Sequence, residues 1–131
     1  MELDLNLLTL ARNLSEHAAA RQAVIAQNVA NSDTPGYKAM DVAPFADVLA
    51  EPTPDRFAMR VSRTGHIATV PEAPAYRTAP EARFGAESPN GNTVSLEDQM
   101  MRSVEVQQTH ELALGVYRKS LDILRSTLGR R

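Results

Sequence analysis

The positions of proline divide this chain into three parts and limit where long helices can form. All eight prolines lie between Pro35 and Pro89, and the segments on either side contain none. Because proline lacks a backbone N–H and clashes with the preceding helical turn, long uninterrupted helices are possible only in the flanking segments. We therefore expect an N-terminal helix within residues 1–34, a C-terminal helix within residues 93–131, and a middle segment of different character at 35–92.

The segment before the first proline has the periodicity of a helix with a narrow apolar stripe. The large apolar residues that define this stripe are Leu7, Leu10, Leu14 and Ile25. Between them the stripe narrows to alanine at Ala18, which would let a partner helix approach closely. We expect this helix to run from about Leu5 to Ala30 and to pack along the stripe against other helices.

The segment after the last proline predicts a second long helix, from about Leu96 to Leu128. Ser95 is the expected N-cap, and Asp98 occupies the matching position of a capping box. Steps of three and four residues connect a seam that consists of Leu114, Tyr117, Leu121, Leu124 and Leu128. This pattern is typical of a coiled coil. The expected fold is therefore mainly α, with two long terminal helices packing as a coiled-coil-like pair that forms one terminal domain.

The middle segment is expected to begin with a turn and to contain little regular structure. Thr34-Pro35-Gly36-Tyr37 suits a type II turn, with Gly36 at the position that needs a positive φ. Residues 57–62 and 66–70 alternate like two short strands, which we expect to pair as a β-hairpin. The stretch 71–92 is rich in Pro, Ala, Glu and Gly and is expected to be an extended loop.

Composition and motifs count against several classes of function. A net charge of −2 provides no basic field for a nucleic acid, and the lack of cysteine excludes thiolate chemistry and zinc–thiolate sites. His17, His66 and His110 are far apart in sequence and match no metal-binding motif. Nucleophile motifs and glycine-rich phosphate loops are absent. We expect no catalytic, metal or cofactor site, no small-molecule substrate and no enzymatic activity.

The N-terminus does not resemble a cleavable secretory signal. Residues 1–5 are acidic and lack both a basic start and a long apolar core. No stretch approaches the roughly 18 apolar residues that span a bilayer. If the protein leaves the cytoplasm, we expect it to use an export route that does not recognise a cleavable secretory signal.

The end of the first helix carries a specific motif. It reads Asn28-Val29-Ala30-Asn31-Ser32-Asp33-Thr34-Pro35-Gly36-Tyr37-Lys38. This run resembles the N-terminal signature of the flagellar rod and hook family, in which a long helix ends in a turn of the type A-N-x-x-T-P-G-Y. The residues that match this signature are Asn28, Ala30, Asn31, Thr34, Pro35, Gly36 and Tyr37.

Within that family, the chain looks most like the B-type proximal rod subunits. The similarity rests on the chain length, on Thr64 with His66-Ile67, and on the run from Asn92 to Met100. The chain departs from the family pattern at Gln99, where an acidic residue is expected, and at His110, where an aromatic residue is expected.

The resemblance implies a structural subunit of the bacterial flagellar basal-body rod. Many copies of its two-helix domain would pack around the axis of a hollow rod in the periplasmic space. The resemblance also implies export through the flagellar type III apparatus without a cleaved signal peptide. The implied partners are other copies, other rod proteins, membrane-ring and adaptor proteins at the rod base, and transiently the export gate.

A short segment of the middle region is similar to the gate-recognition motif of early rod and hook substrates. Phe45 and Leu49 lie four residues apart and would share one face of a helical turn, which suits a shallow apolar groove. The alternative interpretation is that both residues pack against the helices of this chain or against a rod neighbour.

Two other functions fit parts of the pattern. The first is a C-type proximal rod subunit, which would differ in the start and polar pattern of the C-terminal helix. The second is a cytoplasmic coiled-coil adaptor or export chaperone, which would have no need for the Thr34-Pro35-Gly36-Tyr37 turn.

Overall fold

Two long helices lie side by side and a short segment crosses one of their faces. The computed structural model describes residues 2–50, 76–80 and 88–129. In chain order, the elements are α1 (Glu2–Ala30), β1 (Met40–Val42), α2 (Phe45–Ala50), β2 (Thr78–Pro80) and α3 (Leu96–Leu128). The predicted fold class, mainly α with two long terminal helices packed as a pair, is confirmed. The β-hairpin predicted at 57–62 and 66–70 lies outside the described residues.

The helices α1 and α3 pack as an antiparallel hairpin along a line of small and polar residues. The buried positions of α3 are seven residues apart, at Gln99, Val106, Ala113 and Ser120. The buried positions of α1 with the same spacing are Ala11, Ala18 and Ile25. A repeat of seven keeps one face of each helix turned towards its partner, as in a coiled coil. Ala18, Ile25 and Val106 form the hydrophobic cluster at the centre of this line.

The seam of large residues predicted from the sequence is mostly outside this line. Ile25 is buried between the helices, whereas Leu14, Leu114, Leu121 and Leu124 are half-buried. The exposed members are Leu7, Leu10, Tyr117 and Leu128. Since the seam was expected to face other helices, including those of other copies, its role in packing stays a prediction. Within the chain, small residues bring α1 and α3 together.

The ends of α3 follow the chemistry expected of helix caps. The predicted N-cap is confirmed: Ser95 has an extended backbone, and its hydroxyl accepts a hydrogen bond from the Asp98 amide at 3.4 Å. Glu97 and Asp98 lie in the first turn of α3, and Arg125 lies in the last turn. The helix dipole favours negative charge at the start of a helix and positive charge at its end. Among the described residues, neither long helix has an apolar stretch of the kind that crosses a bilayer.

A two-stranded antiparallel sheet joins two parts of the middle segment. β1 pairs with β2, with Met40 opposite Pro80 and Val42 opposite Thr78. β2 lies in the stretch expected to be an extended loop, and pairing with β1 gives its backbone the hydrogen bonds that make it a strand. Pro80 is compatible with this position because β2 is an edge strand.

Candidate functional site

The turn after α1 has the conformation that the sequence predicts. Gly36 has a φ of +71°, and the Tyr37 amide donates to the Thr34 carbonyl oxygen at 3.3 Å, which closes the four-residue turn. The predicted positive φ is therefore confirmed. A Cβ added at Gly36 would meet no atom within 4 Å. The glycine is required by the backbone conformation and not by a lack of space.

Asn92, from a distant part of the chain, binds the turn that follows α1. Its side-chain nitrogen donates to the carbonyl oxygens of Asn31, Ser32 and Thr34 at 2.8–2.9 Å. These carbonyls belong to the turn that follows α1, so the amide supplies hydrogen bonds that stabilise this turn. Asn92 is 1% exposed, and its side-chain oxygen accepts from the Val94 amide. The residues before α3 are thereby fixed to the turn after α1.

Backbone hydrogen bonds strengthen the same junction. The Gly36 amide donates to Asn90, and the Thr93 amide donates to Tyr37, each at 3.0 Å. The Thr93 hydroxyl accepts from the Ala39 amide at 2.7 Å. The turn and the approach to α3 therefore form one unit, which sets the relative direction of the two long helices.

The side chain of Asn28 is a second hydrogen-bonding centre of this junction. It is fully buried, with 0% exposure. Its side-chain nitrogen donates to the Met40 carbonyl at 2.7 Å and to Gln99 Oε1 at 3.1 Å. Its side-chain oxygen accepts from the Met40 amide and from the Tyr37 hydroxyl. All four hydrogen-bonding positions of the amide are thus used, and they connect α1, the turn, β1 and α3.

Asp41 in β1 binds one arginine from each long helix. Arg21 of α1 makes a bidentate contact with its carboxylate at 2.8 and 2.7 Å, and Arg102 of α3 approaches Oδ2 at 2.7 Å. Burial alone would raise the pKa of Asp41. The Arg21 contact, together with the Val42 amide and the Arg102 charge, outweighs burial and holds the pKa below its ordinary value.

His17 anchors the next part of the middle segment. The ring is buried, and its Nε2 donates to the Ala43 carbonyl at 2.8 Å. Phe45 and Tyr76 lie against it with ring centroids at 5.5 and 5.2 Å. The Tyr76 hydroxyl donates to the Asn13 carbonyl at 3.0 Å. Burial, with the nearby Glu16 charge, raises the pKa of Tyr76.

These contacts define a strap, which we take as residues 37–45. The strap runs back along one face of α1 and contacts Asn28, Arg21 and His17 in that order. A groove with a volume of about 410 Å³ lies between the two helices. The residues that line the groove are Ala18, Ala19, Gln22, Val106, Gln107 and His110. The hairpin therefore has one face covered by the strap and another that carries an open groove.

The structure brings most of the turn-motif residues together. Asn28, Thr34, Gly36 and Tyr37 meet at the junction, and Asn31 supplies a carbonyl to Asn92. The exposed members of the motif are Ala30, Thr34, Pro35 and Gly36. Their role in assembly stays a prediction.

The proposed export motif lies on α2. Phe45 is half-buried and contacts the ring of His17, whereas Leu49 is 53% exposed. The role of this pair in export stays a prediction.

Sequence reasoning did not identify several residues of the junction. The residues it missed are Arg21, Asp41, Asn92 and Arg102, and of His17 it established only that the residue matches no metal-binding motif. Their signal would have been weak, since each is a single polar residue whose partners are distant in the chain. Within the described ranges, no three His, Asp or Glu side chains come together as a potential metal site.

Comparison with known proteins places this helical hairpin in a structural family. A family model described as "Flagella basal body rod protein" matches residues 16–38, which cover the second half of α1, the turn and the start of the strap. The flagellar basal body rod protein FlgB of Agrobacterium fabrum is 31% identical over 110 residues, which are 82% of this chain and 81% of the relative. The chain belongs to the flagellar basal body rod protein family. It is a FlgB-like structural protein of the flagellar basal body.

Replacing Asp41 with Asn tests the ionic part of the junction. The variant keeps the shape but removes the charge that both arginines contact, so its free energy of unfolding should fall by about 1–3 kcal/mol at neutral pH. The pKa of Asp41 is lower in the folded protein than in the unfolded chain. The ionised carboxylate therefore contributes fully to the free energy of unfolding above the unfolded pKa of about 3.9, and this contribution is lost as the pH falls below that value. Urea unfolding at several pH values measures both effects.

The control for this measurement is Asp47→Asn, which changes an exposed carboxylate on α2. It should leave the stability nearly unchanged at every pH. Equal effects of the two substitutions, or an Asp41→Asn difference that does not shrink in acid, would contradict the assignment.

Proposed function

We propose that the chain is a subunit of the proximal flagellar rod that is exported unfolded and assembles through the apolar faces of its two long helices. The observation that carries this proposal is the position of the α3 seam. Tyr117 and Leu128 are exposed, and Leu121 and Leu124 are only half-buried, although the helix already packs against α1 between Gln99 and Ser120. Apolar surface that a chain does not cover itself is typical of an interaction site.

The composition of the α1–α3 contact also favours a subunit that becomes stable on assembly over one that is stable as a monomer. Its buried line contains Gln99, Ala113 and Ser120, which bury little apolar area. Long helices obtain most of their stability from tertiary packing, so this hairpin gains most when neighbours cover the seam. A subunit of this kind unfolds readily for passage through a narrow channel and becomes ordered when it is incorporated.

Similarity to a FlgB favours the B-type proximal position over the C-type. The partners that we infer are other copies of the chain, other rod proteins, and the membrane-ring and adaptor proteins at the rod base. An adaptor or chaperone remains the weaker candidate, because the family is structural and the matched segment includes the turn.

Export recognition would act on the unfolded chain. In the folded hairpin Phe45 contacts His17, so only Leu49 of the pair is largely exposed. A gate that binds both side chains must therefore do so before the strap docks on α1. This order agrees with export of an unfolded chain through the type III apparatus, with the gate as a transient partner.

Replacing Leu124 with Arg tests assembly through the seam. A charge placed in an apolar contact between subunits would cost about 3–5 kcal/mol. We expect the variant to be exported in normal amounts and to be missing from purified basal bodies, with loss of swimming. Ser126→Arg, on an exposed position nearby, is the control and should assemble. Normal swimming of the Leu124 variant would refute the seam assignment.

The double substitution Phe45→Ala with Leu49→Ala separates export from packing. If the export gate binds this pair of side chains, the double variant accumulates in the cytoplasm. If the pair only packs, the variant reaches the periplasm and fails at assembly. Fractionation of cells measures the difference, and Asp47→Ala on the same helix is the control, which should be exported. Wild-type amounts of the double variant outside the cytoplasm would end the export proposal.

A further inference from the structure

The approach to α3 contains an asparagine that is followed by a glycine. Among the asparagines of this chain, only Asn90 precedes a glycine, Gly91, and its side chain is exposed. The side-chain amide of an asparagine can react with the next backbone nitrogen. Glycine in that place hinders the reaction least, because it has no side chain and the greatest conformational freedom. Asn90 is therefore the asparagine whose neighbour most favours this reaction.

Hydrogen bonds hold loop 88–92 in a defined turn. The Gly91 amide donates to the Ser88 carbonyl oxygen at 2.8 Å, and the Ser88 amide donates to the Asn92 carbonyl oxygen at 3.1 Å. Gly91 has a φ of +76°, which is the conformation that glycine adopts in hairpin loops that combine a turn with a bulge. In the folded chain, the N–H of Gly91 is therefore already engaged.

Asn90 is fixed by contacts of its own. Its Oδ1 accepts from the Asn92 amide, and its carbonyl oxygen accepts from the Gly36 amide, each at 3.0 Å. The Asn92 side chain then fastens the loop to the turn after α1 through its three carbonyl contacts. Both partners of the reaction are thus restrained by the junction, and they become free to rotate only when the loop detaches from the turn.

We propose that Asn90 is a deamidation site that the junction protects, so that it reacts when loop 88–92 is detached and is stable when the loop is docked. The Gly91 nitrogen attacks Asn90 Cγ and forms a C–N bond. The N–H proton is transferred, and the side-chain nitrogen leaves as ammonia. Water then opens the cyclic imide. Opening at the side-chain carbon gives aspartate, whereas opening at the main-chain carbon gives isoaspartate, in which the backbone continues through the former side chain.

Isoaspartate at this position would prevent the loop from docking again. It adds a methylene carbon to the main chain before Gly91, and it turns the carbonyl that accepts from the Gly36 amide into a carboxylate branch. Both changes disturb the spacing that brings Asn92 to the turn after α1. A chain that stays unfolded for a long time would therefore lose the ability to close its junction. The reaction needs only this chain and water, so it is independent of the proposed function.

The rate of deamidation is measured on the purified full chain, kept either in buffer or in the same buffer with enough urea to unfold it. Trypsin releases residues 84–102 as one peptide, which carries both Asn90 and Asn92. Mass spectrometry gives the fraction of amide converted to acid, and fragmentation locates it. Asn92 is the internal control, since the β-branched Thr93 that follows it hinders the attack.

We expect Asn90 to deamidate at least about tenfold faster in urea than in buffer, because the docked loop must open before it reacts. A tenfold difference corresponds to a free energy of opening of about 1.4 kcal/mol. Asn92 should stay intact in both samples. In urea, where every variant is unfolded, Gly91→Ala should slow the reaction. Ser88→Ala, which leaves the reacting pair unchanged, should not.

A variant of the folded chain tests the role of the junction. Asn92→Ala removes the side chain that fastens the loop, so in buffer its rate at Asn90 should rise towards the rate in urea. Gln27→Ala, at an exposed position of α1, is the control and should keep the wild-type rate. After long incubation in urea and return to buffer, chains with isoaspartate should exchange the Gly36 and Thr93 amides faster than unmodified chains.

Each other outcome overturns part of the proposal. An intact Asn90 in urea, or equal reaction at Asn92, would reject the site. Equal rates in buffer and urea, or an Asn92→Ala rate equal to that of the wild type, would reject protection by the junction. Unchanged exchange of the Gly36 and Thr93 amides in chains with isoaspartate would reject the loss of docking. These measurements use the isolated chain, so absence of the protein from basal bodies would overturn the proposed function and leave them unaffected.

Discussion

The structure depends on the buried side-chain amide of Asn28. This one amide satisfies both backbone groups of Met40 and also contacts Gln99 and Tyr37, so removing it would break hydrogen bonds to three different parts of the chain at once. Asp41 adds the ionic contact that draws Arg21 and Arg102 towards the same strand. These polar contacts fix the register of the hairpin at its turn end, where apolar burial alone would specify it weakly.

This arrangement leaves most of the large apolar residues outside the α1–α3 contact line. The α1–α3 line is built from alanine, serine, glutamine and a few branched residues, and it permits close packing without using the leucines. Leu10 and Leu124 therefore lie beside the contact line and not within it. A rod subunit benefits from this division, because its internal geometry is set by polar contacts while its apolar surface stays free for neighbours. Under the proposed function, stability and assembly rest on different residues.

The features predictable from sequence were those that depend on local chemistry. The positions of proline, all between residues 35 and 89, showed which two segments could form long helices. The Ser95 cap and the positive φ of Gly36 follow from properties of single residues. The α1–α3 line was not predictable, because Gln99 and Ser120 do not contribute to an apolar pattern. The Asp41 contact joins residues up to 61 positions apart, and no local signal connects them.

Hydrogen exchange on the full chain tests the central claim most directly, with the wild type compared against Asn28→Ala. The account predicts that the slowest amides lie near Asn28 in α1 and near Gln99 in α3, and that exchange becomes faster towards Leu7 and Leu124. It further predicts that Asn28→Ala accelerates exchange in both helices together, because the amide joins them. Slowest exchange at the opposite end of the hairpin, or an effect confined to α1, would contradict the account.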